Sequence, residues 1–208
     1  GSMALALLDA RAHDWAVHSL PNSNVAGARF TAAHVDGKAV EAPVPGRTVS
    51  GVGRGLTLAP GQSQTVTFVV AWRFPNLTLN RLGKVGNHYA TLFDSCGAVV
   101  RHIAKNESRL VGLTKRWHET WYDSTLPRWF LDRAMANTSI LASMTCVRFG
   151  NGRFYGWEGI GCCDGTCGHV WQYAQAVGRL FPSLERSVRE MCDFKAGAGF
   201  HPDSGLID

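Results

Sequence analysis

The 208 residues are 45% hydrophobic and 18% charged, the balance of an ordinary folded protein and not of a disordered one. The formal charge of +5 is scattered along the chain, without the clustered basic stripe that a nucleic-acid surface requires. No apolar run approaches the ~20 residues that span a bilayer, and the start, GSMALALLDA, lacks the basic region and long apolar core of a signal peptide.

The six cysteines are irregularly spaced, and the adjacent Cys162 and Cys163 are poorly placed to bridge each other. A reducing, cytoplasmic setting is the simpler expectation. The sequons at Asn76, Asn106 and Asn137 would matter only in a secreted protein. Gly1 and Ser2 ahead of Met3 resemble the scar left by tag cleavage.

The first third reads as antiparallel β structure. Trp15 to Leu20 and Gly27 to His34 are short strand-like runs, and Val35-Asp36-Gly37-Lys38 carries a tight-hairpin signal. Ala59-Pro60-Gly61-Gln62-Ser63 is a turn by composition. Gln64 to Phe74 gives the clearest strand, with Val66, Phe68, Val70 and Trp72 on one face. The expectation for residues 1–80 is part of a β-sandwich.

Beyond Pro75 the pattern changes. Leu79 to Gly86 reads as a linker, and from His88 apolar residues recur at helical spacing through Leu92, Val99, Val100, Ile103, Leu110 and Leu113. Gly97 and Gly112 argue against one uninterrupted helix. Asp123-Ser124-Thr125 supplies an N-cap signal ahead of Pro127, and Trp129, Phe130, Ala134, Asn137 and Leu141 line a second helix. A third runs from Cys167 to Leu180. Ser183 is expected to cap a fourth, with Leu184, Val188 and Met191 inward. Gly197 to Asp208 reads as glycine-rich, with no closing element. A switch from β to α argues for two domains, 1–80 and 81–208.

Chemistry concentrates between Arg153 and Gln175, RFYGWEGIGCCDGTCGHVWQYAQ, read as a loop feeding a helix. Glu158 stands between Trp157 and Gly159, and Tyr155, Trp157 and Trp171 offer flat faces on which a sugar ring can stack. An acidic residue in such a loop is also a common surface or capping group. Apolar walls can shift a carboxylate's pKa, and paired carboxylates are the usual means of cleaving a glycosidic bond. Asp164 is better read as the cap of the following helix. Cys162, Cys163, Cys167 and His169 hold enough sulfur and nitrogen for a zinc site, but they are crowded and no CxxC pair is present. Small buried side chains packing a tight turn are the preferred reading, with neither metal nor cofactor.

Several motifs follow one another in a familiar order. They are Trp72-Arg73-Phe74-Pro75-Asn76, Tyr122-Asp123-Ser124-Thr125-Leu126-Pro127 and Gly152-Arg153-Phe154-Tyr155-Gly156-Trp157-Glu158-Gly159. Cys162-Cys163-Asp164-Gly165-Thr166-Cys167, His169-Val170-Trp171-Gln172-Tyr173-Ala174-Gln175 and Leu180-Phe181-Pro182-Ser183-Leu184-Glu185-Arg186-Ser187 continue the series. Together they resemble the non-lysosomal glucosylceramidase, or bile-acid β-glucosidase, family of glycoside hydrolases (family 116), in a bacterial-type branch. The resemblance is strong from Thr65 to Glu190 and thin before it.

That resemblance implies an N-terminal β-sandwich joined to a C-terminal (α/α)6 barrel, and retaining hydrolysis of a β-glycoside through a covalent glycosyl-enzyme. It assigns the nucleophile to Glu158, with His169, Trp157 and Trp171 near the sugar. His169 stands where the glucosidases of the family carry a sugar-binding aspartate, and it offers no charged acceptor at neutral pH. An N-acetylglucosaminide, a xyloside or another β-glycoside is therefore as open as a glucoside. The family's acid/base aspartate is expected outside these 208 residues, so the chain reads as an internal piece of a longer enzyme, inactive alone. A piece of a barrel should expose apolar faces and self-associate. A non-catalytic carbohydrate-binding or structural module is the alternative.

Overall fold

The computed structural model describes residues 1–21, 48–79, 82–157 and 175–207. The chain divides into two compact units, one of Ser2–Arg73 with Ser95–Glu107, the other of Phe74–Asp94 with Ser108–Asp208. Among the described residues every sheet is two-stranded and antiparallel.

In the first unit β1 (Ser2–Leu7) pairs with β4 (Phe68–Arg73), setting Met3 opposite Trp72, Leu5 opposite Val70 and Leu7 opposite Phe68. Between them in sequence, β2 (Trp15–Pro21) pairs with β3 (Thr48–Gly53). The predicted run from Trp15 is thus a strand, while Gly27–His34 and its hairpin lie outside the described residues. Helix α1 (Cys96–Tyr122) supplies Cys96, Val99, Val100 and Ile103 to a small core with Leu8, Val69, Ala71, Ala4 and Ala6. The apolar face expected on the strongest strand faces outward: Phe68, Val70 and Trp72 are 51%, 57% and 50% exposed. Val69 and Ala71 pack with the helix residues instead, because strand side chains alternate between the two faces.

Three loops of this unit have clear physical causes. The Pro60-Gly61 turn forms as predicted, with Gly61 at φ +80° and the Gln62 amide donating to the Ala59 carbonyl at 3.0 Å. Arg54 gathers the chain after β1, donating to both Asp14 carboxylate oxygens at 2.8 and 2.7 Å and to the Asp9 carbonyl at 2.6 Å. Its guanidinium holds the Asp14 carboxyl down at about 2. The Thr67 hydroxyl donates to Glu107 on α1 at 3.0 Å.

Helix α1 runs unbroken through Gly97 and Gly112, against the expected interruption. Ser95 is its cap, the Ala98 amide donating to the hydroxyl at 3.1 Å, so Gly97 falls in the first turn, and space around Gly112 is open. The earlier helical spacing belongs to a separate 3-10 turn, His88–Thr91.

In the second unit the expected linker contains a small hairpin, β5 (Thr78–Leu79) with β6 (Gly83–Lys84). Helix α2 (Arg128–Met135) continues as a 3-10 segment through Ala142, and Ser124 accepts from the Leu126 amide just before it. Next comes a hairpin where a loop was expected, β7 (Cys146–Arg148) with β8 (Phe154–Gly156). Of the predicted third helix the described part is α3 (Gln175–Leu180). Helix α4 (Pro182–Val188) starts one residue before Ser183: Phe181 is the N-cap, no side chain caps it, and Pro182 enters the first turn. A π turn, Arg189–Asp193, follows. The core joins Cys146, Phe154, Val188 and Cys192, with Leu184 and Met191 inward as predicted. The glycine-rich end closes in a hairpin, β9 (Phe200–His201) with β10 (Leu206–Ile207), against the expectation of no closing element.

Candidate functional site

The hairpin β7–β8 delivers the chain to the candidate site. Asn151-Gly152 turns it: Gly152 takes φ +92°, and the Arg153 amide donates to the Asn151 side chain at 3.0 Å. The turn is docked at Gly150, whose amide donates to the Val85 and Gly86 carbonyls at 3.1 and 3.2 Å. A Cβ on Gly150 would stand 3.2 Å from the Val85 oxygen, a tight contact that glycine avoids where the two backbones meet.

The same docking strip secures one of the sequence motifs. The Phe74 amide donates to the Tyr89 hydroxyl at 3.0 Å, and the Phe74 carbonyl accepts from the Asn87 side chain at 2.7 Å. Next to Asn87 stands His88, whose Nδ1 is buried with no hydrogen-bond partner. Burial, with a contribution from the positive charge of Arg148, lowers its pKa and favours the neutral imidazole. A buried, unpartnered ring nitrogen is not legible in a sequence.

From β8 the site is built by alternation. Phe154 is buried in the core, and Arg153, Tyr155 and Trp157, each half-buried, alternate with it along the chain, Tyr155 packing against the same cluster. The Trp157 amide donates to the Thr145 carbonyl at 2.8 Å and so prolongs the ladder by one residue. Phe149, 1% exposed, packs on Tyr155 with ring centroids 4.9 Å apart. The Arg153 guanidinium lies 4.8 Å above the same Tyr155 ring, and Trp157 meets Tyr155 edge to face at 5.7 Å and 67°. Burial raises the phenol's pKa, only partly opposed by Arg153, so the ring is a neutral platform.

In the same cluster, the Cys192 thiol accepts from Arg153 Nε at 3.4 Å and donates to the Phe154 carbonyl at 3.7 Å. Cys146 is buried in the same core, and its thiol is pushed up to about 11 by that burial. Cys96, Cys146 and Cys192 are free thiols. Among the described residues no three His, Cys, Asp or Glu side chains form a metal-binding group, and no helix is long and apolar enough to cross a membrane.

Of the four sequence-predicted site residues, Trp157 is placed at the end of this hairpin. Glu158, His169 and Trp171 lie outside the described residues, as do Cys162, Cys163, Cys167 and Asp164. Sequence reasoning named Tyr155 for its ring but missed Arg153, Phe149 and Cys192 as its supports. Asn151-Gly152 was the signal that could have found them, because it sets the register that brings Phe149 beside Tyr155.

Comparison with known families gives one match. Residues 25–110 match the model described as beta-glucosidase 2, glycosyl-hydrolase family 116 N-term. The stretch includes β3, β4, the β5–β6 hairpin, the docking strip and the first half of α1, and it ends before Glu158. The resemblance to family 116 drawn from the motifs is thereby found independently, on a segment where those motifs were sparse. No curated protein and no solved structure matches the chain.

Proposed function

We propose, from the premise that residues 25–110 match the N-terminal domain of family 116, that this chain is part of a retaining β-glycoside hydrolase with Glu158 as nucleophile. The observation that carries the reading is the family match, followed in sequence by the Gly-Trp-Glu-Gly motif, whose Trp157 ends a docked hairpin. In this reading the described strands and helices belong to a β-sandwich and the opening helices of an (α/α)6 barrel.

The Glu158 carboxylate attacks the anomeric carbon as the bond to the aglycone oxygen breaks, and that oxygen takes a proton from the partner acid. Water, deprotonated by the same group, then attacks the anomeric carbon and releases the sugar with retained configuration. The partner carboxyl must stand roughly 5–5.5 Å from the nucleophile, and it is not assigned to any of these residues. Trp157 and Trp171 supply stacking faces. His169 donates or accepts one hydrogen bond at a sugar hydroxyl where the glucosidases of the family use a carboxylate, which leaves an N-acetylglucosaminide, a xyloside or another β-glycoside as open as a glucoside.

The test is a panel of 2-deoxy-2-fluoro β-glycosides of gluco and xylo configuration, incubated with the full-length gene product. Mass shift on the peptide bearing Glu158 supports the reading. Sugar-dependent quenching of tryptophan fluorescence without hydrolysis or labelling would favour a carbohydrate-binding module instead.

A further inference from the structure

We propose that Arg153 and Tyr155 are positioning residues, a cation–aromatic stack on one face of β8 that fixes the indole plane of Trp157 and so the surface a pyranose ring meets. The inference rests on the reading of Trp157 as part of the sugar site, and goes beyond it by assigning what orients that side chain.

The geometry is a chain of contacts with one end in the core. Cys192, buried beneath the hairpin, holds Arg153 through the 3.4 Å contact to Nε. Arg153 in turn lies 4.8 Å over Tyr155, which also packs on the buried Phe149 at 4.9 Å. Tyr155 is thus gripped by a charge and a ring before it meets Trp157, which the ladder bond to Thr145 fixes only at its backbone. An indole held by its backbone alone can choose among staggered rotamers. One also packed edge to face at 5.7 Å on an immobilised ring is held in one of them. An arginine on an exposed turn serves solubility equally well in any direction, whereas this one is drawn onto a ring and a buried sulfur.

The experiment uses the intact chain and two readouts. The difference between wild-type and Trp157→Phe near-ultraviolet circular dichroism defines the band of Trp157. Binding is read by calorimetry with 1-deoxynojirimycin and its N-acetylglucosamine- and xylose-configured analogues. Tyr155→Leu is expected to lose the Trp157 band with the far-ultraviolet spectrum unchanged, and to weaken the best of these ligands about tenfold. Tyr155→Phe keeps the ring and should restore both. Arg153→Met should weaken binding about three- to fivefold, with Arg153→Lys recovering most of it because an ammonium also sits over a ring.

A Tyr155→Leu protein that keeps the band, or loses it yet binds like wild type, overturns the positioning role alone. Wild-type protein that binds none of the three ligands overturns the sugar reading and this proposal with it, and the wild-type result tells the two failures apart. Should Tyr155→Leu unfold, the contrast between Arg153→Met and Arg153→Lys decides: equal affinities overturn the proposal.

Discussion

Two hydrophobic clusters among the described residues hold down different kinds of strand. Beneath β7–β8, the large Phe154 is clamped among Val188, Cys146 and Cys192, and the turn is docked through Gly150 as well. Beneath β1–β4, only Val69, Ala71 and Leu8 are buried, and the opposite face carries its large residues outward. The first hairpin is fixed from below, at its tip and by its own ladder. Among the described residues the second sheet is packed on one side. Precision is therefore built where the chain enters the Trp157–Glu158 segment, and the N-terminal sheet leaves an apolar face uncovered among the described residues.

The largest expected effect breaks the better-held region. Phe149→Ala removes a 1% exposed ring that both fills the core and closes Tyr155, and should cost about 3–5 kcal/mol in denaturant unfolding. Gly150→Val attacks the docking itself, and overpacking against the Val85 carbonyl should cost about 1–3 kcal/mol. A pair of substitutions on β4 sharpens the contrast within one strand. Val69→Thr buries a hydroxyl and should cost about 1–3 kcal/mol. Val70→Thr, its outward neighbour, should change stability by less than about 0.5 kcal/mol. Equal costs at the two positions would contradict the assignment of faces.

The ion pair of the first unit gives a smaller effect confined in pH. Asp14 titrates at about 2 in the fold and near ~3.9 unfolded. A depressed carboxyl contributes stability that is present above about pH 4 and lost as pH falls toward 2. The gap in unfolding midpoint between wild type and Arg54→Met should therefore be constant at neutral pH and shrink across that window. A gap that does not narrow would show that Arg54 acts through its bonds to backbone carbonyls alone, that of Asp9 at 2.6 Å and that of Leu8 at 3.4 Å.

Much of the local structure was legible where one residue's backbone preference decides it, as at Pro60-Gly61. The inward face of α4 was legible from its spacing. The faces of β4 were not, because Phe68, Val70 and Trp72 carry the stronger hydrophobic signal while it is Val69 and Ala71 of this strand that pack with α1. Gly97 and Gly112 weighed against α1 because local propensity is blind to the packing that sustains a long helix and to the Ser95 cap. For the site, Glu158, His169 and Trp171 came from motif order. The Phe149–Tyr155–Arg153 stack depends on the register of two strands and on a sulfur thirty-nine residues away, which no window of sequence contains.

The most direct test of the central claim is the identity of the residue that a 2-deoxy-2-fluoro β-glycoside labels in the full-length protein. The account predicts one covalent adduct, on Glu158, and its loss in Glu158→Gln together with hydrolysis. An adduct on another carboxylate, with Glu158→Gln fully active, would contradict it.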